Sequence, residues 1–383
     1  MNDRIRPTRA NKFLRGGFEN IRQFTPNWFA VTMGTGVVYL VLEALSGASP
    51  IKRELAEWLW RIDIGMYAVF FMMFVGRLVL FSETIKPLLH HPMQSMFLGA
   101  LPMGFAPIVN GVIAFSGPRY GDGAYSLAFG LWGVDAVTSL VVAIGVPYLV
   151  FTKQEHSADR LTAALLLPIV APEVAASSAA LLAPHLTPAH AQLVVGAGYL
   201  LWAVSVPLAF SILTLVLFRL VIHKLPHREV GVTSWLALGP IATGSLGLIT
   251  LGEAAAKAFS GTALQSVAIL ARAFGVLGAL LLWGSGLWWL ACAVLFMWRY
   301  HREGLPFNLG WWGLTFPTGV YTLATLNLAR ATHSNAFLNI GVALQVILDL
   351  LWGAVLGRTI RGLIYERMFQ APCLSTELQV RMK

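Results

Sequence analysis

The chain has 383 residues, 57% of them hydrophobic and only 12% charged, with a mean hydropathy of +0.68. Soluble domains carry about 25% charged residues, so this balance excludes an ordinary soluble fold and points to a polytopic helical membrane protein. A net charge of +9 invites a nucleic-acid reading, but an excess of Lys and Arg on cytoplasmic loops accounts for it more simply, and no nucleic-acid partner is expected.

Residues 1–26 form a basic tail with Arg4, Arg6, Arg9, Lys12, Arg15 and Arg22. A signal peptide cleaved near Ser46-Gly47-Ala48 is the alternative, but the apolar run that follows is long for one and nine more runs come after it. The ten runs lie at about 27–45, 62–81, 93–115, 127–150, 161–183, 191–218, 232–251, 265–298, 306–329 and 336–357. Nearly all reach the ~20 residues that a spanning helix needs. The connections are short, so 27–357 reads as one integral domain and 358–383 as a second tail. With the amino terminus in the cytoplasm, 19 Lys and Arg fall on the inner side and 6 on the outer. That asymmetry predicts both termini inside, in a plasma or bacterial inner membrane.

Every odd-numbered run then travels outward, and each carries a helix breaker some 7 to 11 residues from its inner end, at roughly 10–17 Å of depth. These are Gly34-Thr35-Gly36, then Pro102 with Gly104, then Pro168 and Pro172, then Gly239-Pro240 with Gly244, and finally Pro317. Close helix packing explains any single breaker. Five at one level predict five inner helices ringed around an axis, with the even helices as a sleeve facing lipid. The fold class expected is therefore all-α integral membrane: ten transmembrane helices as five hairpins with quasi-fivefold symmetry about a central pore. In the ninth run, Trp311 to Leu323, Pro317 is expected to kink or open the helix about halfway across. Phe316 beside it is read as the constriction.

Intramembrane charge is costly and suggests function. Glu173, after Pro172, is a candidate for permeation or proton coupling, or else a neutral carboxyl capping broken backbone. Asp135 and Asp349, on even runs, are expected to pair between helices, whereas Arg77 and Arg272 lie near helix ends and can snorkel. The inner helices carry few cations, so anions would be drawn by helix dipoles and by hydroxyls at the breaks, with Thr32, Thr35, Thr243, Ser245, Thr315 and Thr318 available. Those hydroxyls are equally able to bond back to their own helices. His90-His91 reads as a solvated loop pair. Cys292 and Cys373 offer neither a disulfide framework nor metal-ligand spacing. No phosphate loop, zinc motif or nucleophile elbow occurs, so no catalytic residue, metal or cofactor is expected.

Phe24-Thr-Pro-Asn-Trp-Phe-Ala-Val-Thr-Met-Gly-Thr-Gly36 resembles the first-helix signature of the tellurite-resistance/dicarboxylate transporter family. That family includes yeast malic acid permeases, fungal sulfite efflux pumps and the plant slow-type anion channel. Leu166-Leu-Pro-Ile-Val-Ala-Pro172 and His223-Lys-Leu-Pro-His-Arg-Glu-Val230 with Leu238-Gly-Pro240 are most similar to the sulfite-efflux branch. Trp311-Trp-Gly-Leu-Thr-Phe-Pro317 resembles the ninth helix of the anion channels, whose phenylalanine plugs the pore. The resemblance, over about 24–360, implies ten helices, a quasi-fivefold pore and assembly as homotrimers. It further implies transport of a sulfite-like inorganic anion or a C4-dicarboxylate such as malate, with a tellurite-resistance-like or nitrate/chloride channel as the alternative. Ile241-Ala-Thr-Gly-Ser245 departs from the Gly-Gln-Gly-type run of fungal sulfite pumps, which leaves the substrate open. The substrate path is expected to include Gly34, Thr35, Gly36, Pro102, Gly104, Pro168, Pro172, Glu173, Gly239, Pro240, Gly244, Thr315 and Pro317, gated by Phe316.

Overall fold

A computed structural model describes residues 17–47, 49–365 and 368–374. Arg4, Arg6, Arg9, Lys12 and Arg15 of the basic tail, Ala48 of the cleavage alternative, and Arg367, Arg381 and Lys383 lie outside the described residues.

Among the described residues there are helices and turns but no strand. The ten principal helices are α1 (Phe29–Ala44), α2 (Pro50–Leu80), α3 (Ala100–Gly111), α4 (Asp122–Thr152), α5 (Leu166–Leu182), α6 (Pro188–His223), α7 (Leu238–Ala258), α8 (Gln265–Arg302), α9 (Thr315–Thr332) and α10 (Asn335–Tyr365). With their flanking turns, eight segments are long and apolar enough to cross a membrane; α1 and α9, with 16 and 18 residues, are not among them.

The helices fall into two sets. The apolar windows of Ser95–Tyr120, Ala163–His185 and Arg228–Ala258, which contain α3, α5 and α7, are 78%, 83% and 100% buried. Those of α2, α4, α6, α8 and α10 are 22%, 28%, 33%, 22% and 28% buried. α1 and α9 resemble the first set, with 12 of 16 and 13 of 18 residues buried. Around the centre, α1 packs on α3, α3 on α5, α5 on α7, α7 on α9, and α9 back on α1. Each helix of the exposed set packs on the inner helix before it and on the one after it.

A repeated side-chain bond fixes that second contact. Trp60 Nε1 of α2 donates to the Ile108 carbonyl of α3 at 3.1 Å, and Trp132 Nε1 of α4 to the Ala175 carbonyl of α5 at 2.9 Å. Trp202 of α6 reaches the Gly244 carbonyl at 3.0 Å, Trp283 of α8 reaches Thr325 Oγ1 at 2.9 Å, and Trp352 of α10 reaches Thr35 Oγ1 at 3.2 Å. An indole N–H away from water needs a protein acceptor, and each finds one on the neighbouring inner helix.

The expected breaks take a different form. Pro102, Pro168, Pro240 and Pro317 each occupy the third residue of an α-helix, after a 3₁₀ or short helical lead-in over Ser95–Gly99, Ala163–Leu165, Thr233–Leu236 or Leu309–Leu314. The i→i−4 ladder only begins at these positions, so proline there costs less than it would in a helix interior. Pro317 thus sits where the 3₁₀ lead-in passes directly into α9. Of the prolines named, only Pro172 sits in a helix interior, as the glycines Gly104 and Gly244 do, and α3 carries a further interior proline at Pro107. Gly34 to Gly36 lie within an uninterrupted α1.

Two boundaries also differ. α2 begins at Pro50, twelve residues before the apolar run, because its first turns are charged: Glu57 there holds Arg61 at 2.6 Å and Arg119 at 2.6 and 2.9 Å. α10 continues to Tyr365, past the end of its apolar run at 357.

Candidate functional site

The five inner helices converge on one small void. It is lined by Met33 of α1, Met103 of α3, Leu166, Leu167 and Val170 of α5, and Leu236 just ahead of α7. Gly239 of α7 with Phe316 and Pro317 of α9 complete it. Its volume is about 10 Å³, at the lower limit for a single water molecule. Phe316 is 4% exposed. The lining is apolar and the space very small, so neither a hydrated nor a bare anion fits as it stands.

The prolines explain why these residues meet. Because each proline is the third residue of its helix, Leu101, Leu167, Gly239 and Phe316 are all second residues. Three of those four second residues line the void. At Gly239 the position is empty: an added Cβ would meet nothing nearer than the Pro317 ring at 3.9 Å. The largest side chain of the four, Phe316, thus faces the void alongside the smallest.

Of the residues anticipated for the path, Gly239, Phe316 and Pro317 come together there. Several of the others face neighbouring helices. A Cβ on Gly34 would strike Thr315 Oγ1 at 2.2 Å, one on Gly36 would strike Pro107 at 2.4 Å, and one on Gly104 would strike Thr32 Oγ1 at 2.5 Å. A Cβ on Gly244 would lie 3.3 Å from Val206, and Pro168 lines a cavity on the outer side of α5. Pro102, Pro172 and Pro240 are buried in the inner helices. Met33, Met103 and Val170 carried no sequence signal apart from nearness to a breaker.

The hydroxyls are committed. Thr32, Thr243, Thr315 and Thr318 donate to carbonyls three or four residues earlier, at 2.7–2.9 Å. Ser245 donates to the Ala279 carbonyl of α8 at 2.8 Å, and Thr35 accepts from Trp352.

Glu173 is fully buried on α5, and neither carboxylate oxygen has a hydrogen-bond partner. Ser205, whose hydroxyl donates to the Ile169 carbonyl at 2.6 Å, lies nearby. Asp135 does not pair between helices; it is 1% exposed, and its Oδ1 is unbonded. Asp349 is exposed and accepts from Gln345 of its own helix at 3.3 Å. Arg77 does not snorkel. It is fully buried and bonds the Phe24 carbonyl, Thr84 Oγ1 at 2.9 Å and Cys373 Sγ at 3.5 Å, joining both ends of the described chain to α2. His91 is a half-buried turn residue whose Nδ1 accepts from the Met93 and Gln94 amides at 3.2 Å, and burial holds its imidazole below the usual range.

Residues 23–360 match the family model described as SLAC1, voltage-dependent anion channel. The chain belongs to that family. Among its relatives, the sulfite efflux pump SSU1 of Arthroderma otae is 37% identical over 355 residues, covering 91% of this chain and 93% of the pump. An uncharacterized transporter of Methanocaldococcus jannaschii is 24% identical over 91% of this chain and 96% of its own length. The malic acid transport protein of Schizosaccharomyces pombe is 21% identical, over 87% of this chain and 77% of its own length. The resemblance carried by Phe24 to Gly36 and Trp311 to Pro317 is thereby borne out. The family and its named members are transporters of anions, not enzymes.

Proposed function

We propose that this chain moves a sulfite-like inorganic anion across a plasma or bacterial inner membrane, through the axis between α1, α3, α5, α7 and α9. The observation that carries this reading is the small apolar void to which all five inner helices contribute, with Phe316 in its wall. On this reading the fold is ten spans in five hairpins with quasi-fivefold symmetry, both termini are cytoplasmic, and three copies assemble. Phe316 is the gate. An apolar constriction of this size stops ions by volume and by excluding water, so opening requires the ring to swing aside, and the empty position at Gly239 is a place for it to go. Sulfite is preferred because the sulfite pump is the nearer of the two named kinds of relative, at 37% against 21% identity. Malate and other C4-dicarboxylates, nitrate and chloride are the alternatives.

Flux into vesicles reconstituted with the purified chain, tested with sulfite, malate, nitrate and chloride, distinguishes the substrates. Phe316→Ala should raise flux per folded molecule severalfold, and Phe316→Leu less. In the Phe316→Ala background, Gly239→Leu should refill the void and restore the block. A merely packed phenylalanine makes the opposite prediction. Its truncation costs about 3–5 kcal/mol and lowers folded protein without raising flux. Phe307→Ala is the control, since the Phe307 ring packs at a tilt against Trp311 and does not line the void. Flux at or below the parent level in folded Phe316→Ala rejects the gate.

A further inference from the structure

Beyond the central void, the strongest unassigned feature is a pair of adjoining cavities beside the amino-terminal ends of α3, α5 and α7. The first, of about 440 Å³, lies among the loops ahead of α3, α5 and α7. Arg219 of α6 forms part of its wall and is 6% exposed. Its guanidinium donates to the Asp159 carbonyl at 3.1 and 2.8 Å and to the Lys224 carbonyl at 2.6 Å. Among the described residues it forms no ion pair. A buried cation normally has an anionic partner, because its desolvation is otherwise uncompensated. Arg160 lines the same cavity; Glu155 and Asp159 do too, but both are exposed and solvated.

The second cavity, of about 300 Å³, is a groove on the lipid side between α4 and α6, floored by Pro168 and Ile169 of α5. Its walls are apolar, and two of them, Phe151 and Leu215, are 82% and 52% exposed. Both cavities share Met96, His156, Leu161 and Leu165, so a chamber whose wall holds a guanidinium without an ion pair adjoins an apolar trough. A free oxyanion would use only the chamber, and a neutral apolar molecule only the trough. An amphiphile with an anionic head uses both.

We propose that this is a phospholipid site, with the lipid phosphate on Arg219 and one acyl chain lying along Pro147, Ser211 and Ile212. The site also reaches the transport path, and here the inference rests on the function proposed above. Leu165, Pro168 and Ile169 line the groove, while Leu166, Leu167 and Val170 line the central void. A lipid in the groove therefore presses on one face of the first turn of α5 whose other face shapes the constriction. Bound lipid should change flux.

Binding is testable without any flux measurement, so the two proposals fail separately. The full chain, purified and delipidated in mild detergent, is titrated with phosphatidylglycerol, diacylglycerol and inorganic phosphate and read by native mass spectrometry and thermal melting. We expect one phosphatidylglycerol per chain and a raised Tm, with neither diacylglycerol nor phosphate matching it. Ser211→Trp fills the trough from an exposed position and should weaken retention at least tenfold. Arg219→Gln should do the same, and Arg219→Lys should recover part of it. If Arg219→Gln does not fold, Ser211→Trp still decides the matter. Equal retention in the parent and Ser211→Trp overturns the site, and equal binding of diacylglycerol overturns the role of Arg219. Crosslinking of Ser211→Cys between copies would show the groove covered by a second chain and overturn it too.

Discussion

Glycine means different things where helices close on one another and on the open faces of the outer helices. At a contact, a Cβ on Gly99 would lie 2.2 Å from the Leu167 carbonyl oxygen, one on Gly319 would lie 2.4 Å from Val37, and one on Gly275 of outer α8 would lie 2.6 Å from the Leu248 carbonyl oxygen. On α4, Gly130, Gly133 and Gly145 have nothing within 4 Å of such an atom, and neither do Gly353 and Gly357 of α10. Small residues let backbones approach where helices must close on one another. On a face turned to lipid they serve no such purpose. Hydropathy does not separate these cases, since windows in both sets are strongly apolar: 1.8 for Ala163–His185 and 2.0 for Asp122–Thr152. What separates them is what each residue meets.

Gly99→Ala gives the sharpest test of that contrast. The clash is with backbone, of Leu167 and Pro168, so no side chain can rotate to relieve it. We expect a loss of about 3 kcal/mol or more, read as collapse of folded yield or a large drop in Tm. Near-parent stability would mean that the inner helices close less tightly than described.

Buried carboxyls carry the same comparison into transport. Glu173 lies on inner α5 and Asp135 on outer α4, and among the described residues neither forms an ion pair. If only the inner set forms the path, Glu173→Gln should remove any pH dependence of anion flux, whereas Asp135→Asn should leave it unchanged. The readout is flux against pH at constant folded protein. An unaltered profile in Glu173→Gln would leave that residue a structural role alone.

Much of the layout was legible in the chain. Ten apolar runs gave the helices, and prolines at a common depth marked the residues that meet at the void. The form of the break was not legible, because a proline that kinks a helix and one that begins it have the same local sequence; the difference lies in the 3₁₀ lead-in, which carries no distinctive pattern. The orientation of Gly34, Gly36 and Gly104 was hidden for a related reason: a residue without a side chain leaves no periodic trace of the face it occupies. Charged turns concealed the start of α2. One signal was present and unread. Trp60, Trp132, Trp202, Trp283 and Trp352 recur at intervals of 69 to 81 residues, one on each outer helix. A repeat of that length is what the proposed five hairpins would leave in the chain.

Those tryptophans supply the next prediction. Trp132→Phe keeps most of the ring volume and removes only the N–H bonded to the Ala175 carbonyl. A net cost of about 1 kcal/mol is expected, with flux per folded molecule unchanged. The same holds for Trp202→Phe, whose acceptor is the Gly244 carbonyl. A large change in flux from either would show that the sleeve takes part in the path and is not only its support.

The smallest effect belongs to Gly130→Ala, and it completes the contrast opened by Gly99. Gly130 is exposed in the interior of α4, and an added Cβ meets no atom within 4 Å. Nothing is lost in packing, while alanine is about 0.8–1.0 kcal/mol better than glycine in a helix interior. The gain should be at most that, since the surrounding lipid already favours helical backbone in the unfolded reference. Melting in detergent should thus show a Tm equal to or slightly above the parent, with unaltered flux. A clear loss of stability at Gly130 would mean that something covers this face of α4 in the membrane. A second copy of the chain is the natural candidate, because assembly would bury a face that is bare in the single chain, and a matching loss of crosslinked oligomer in the same variant would identify it.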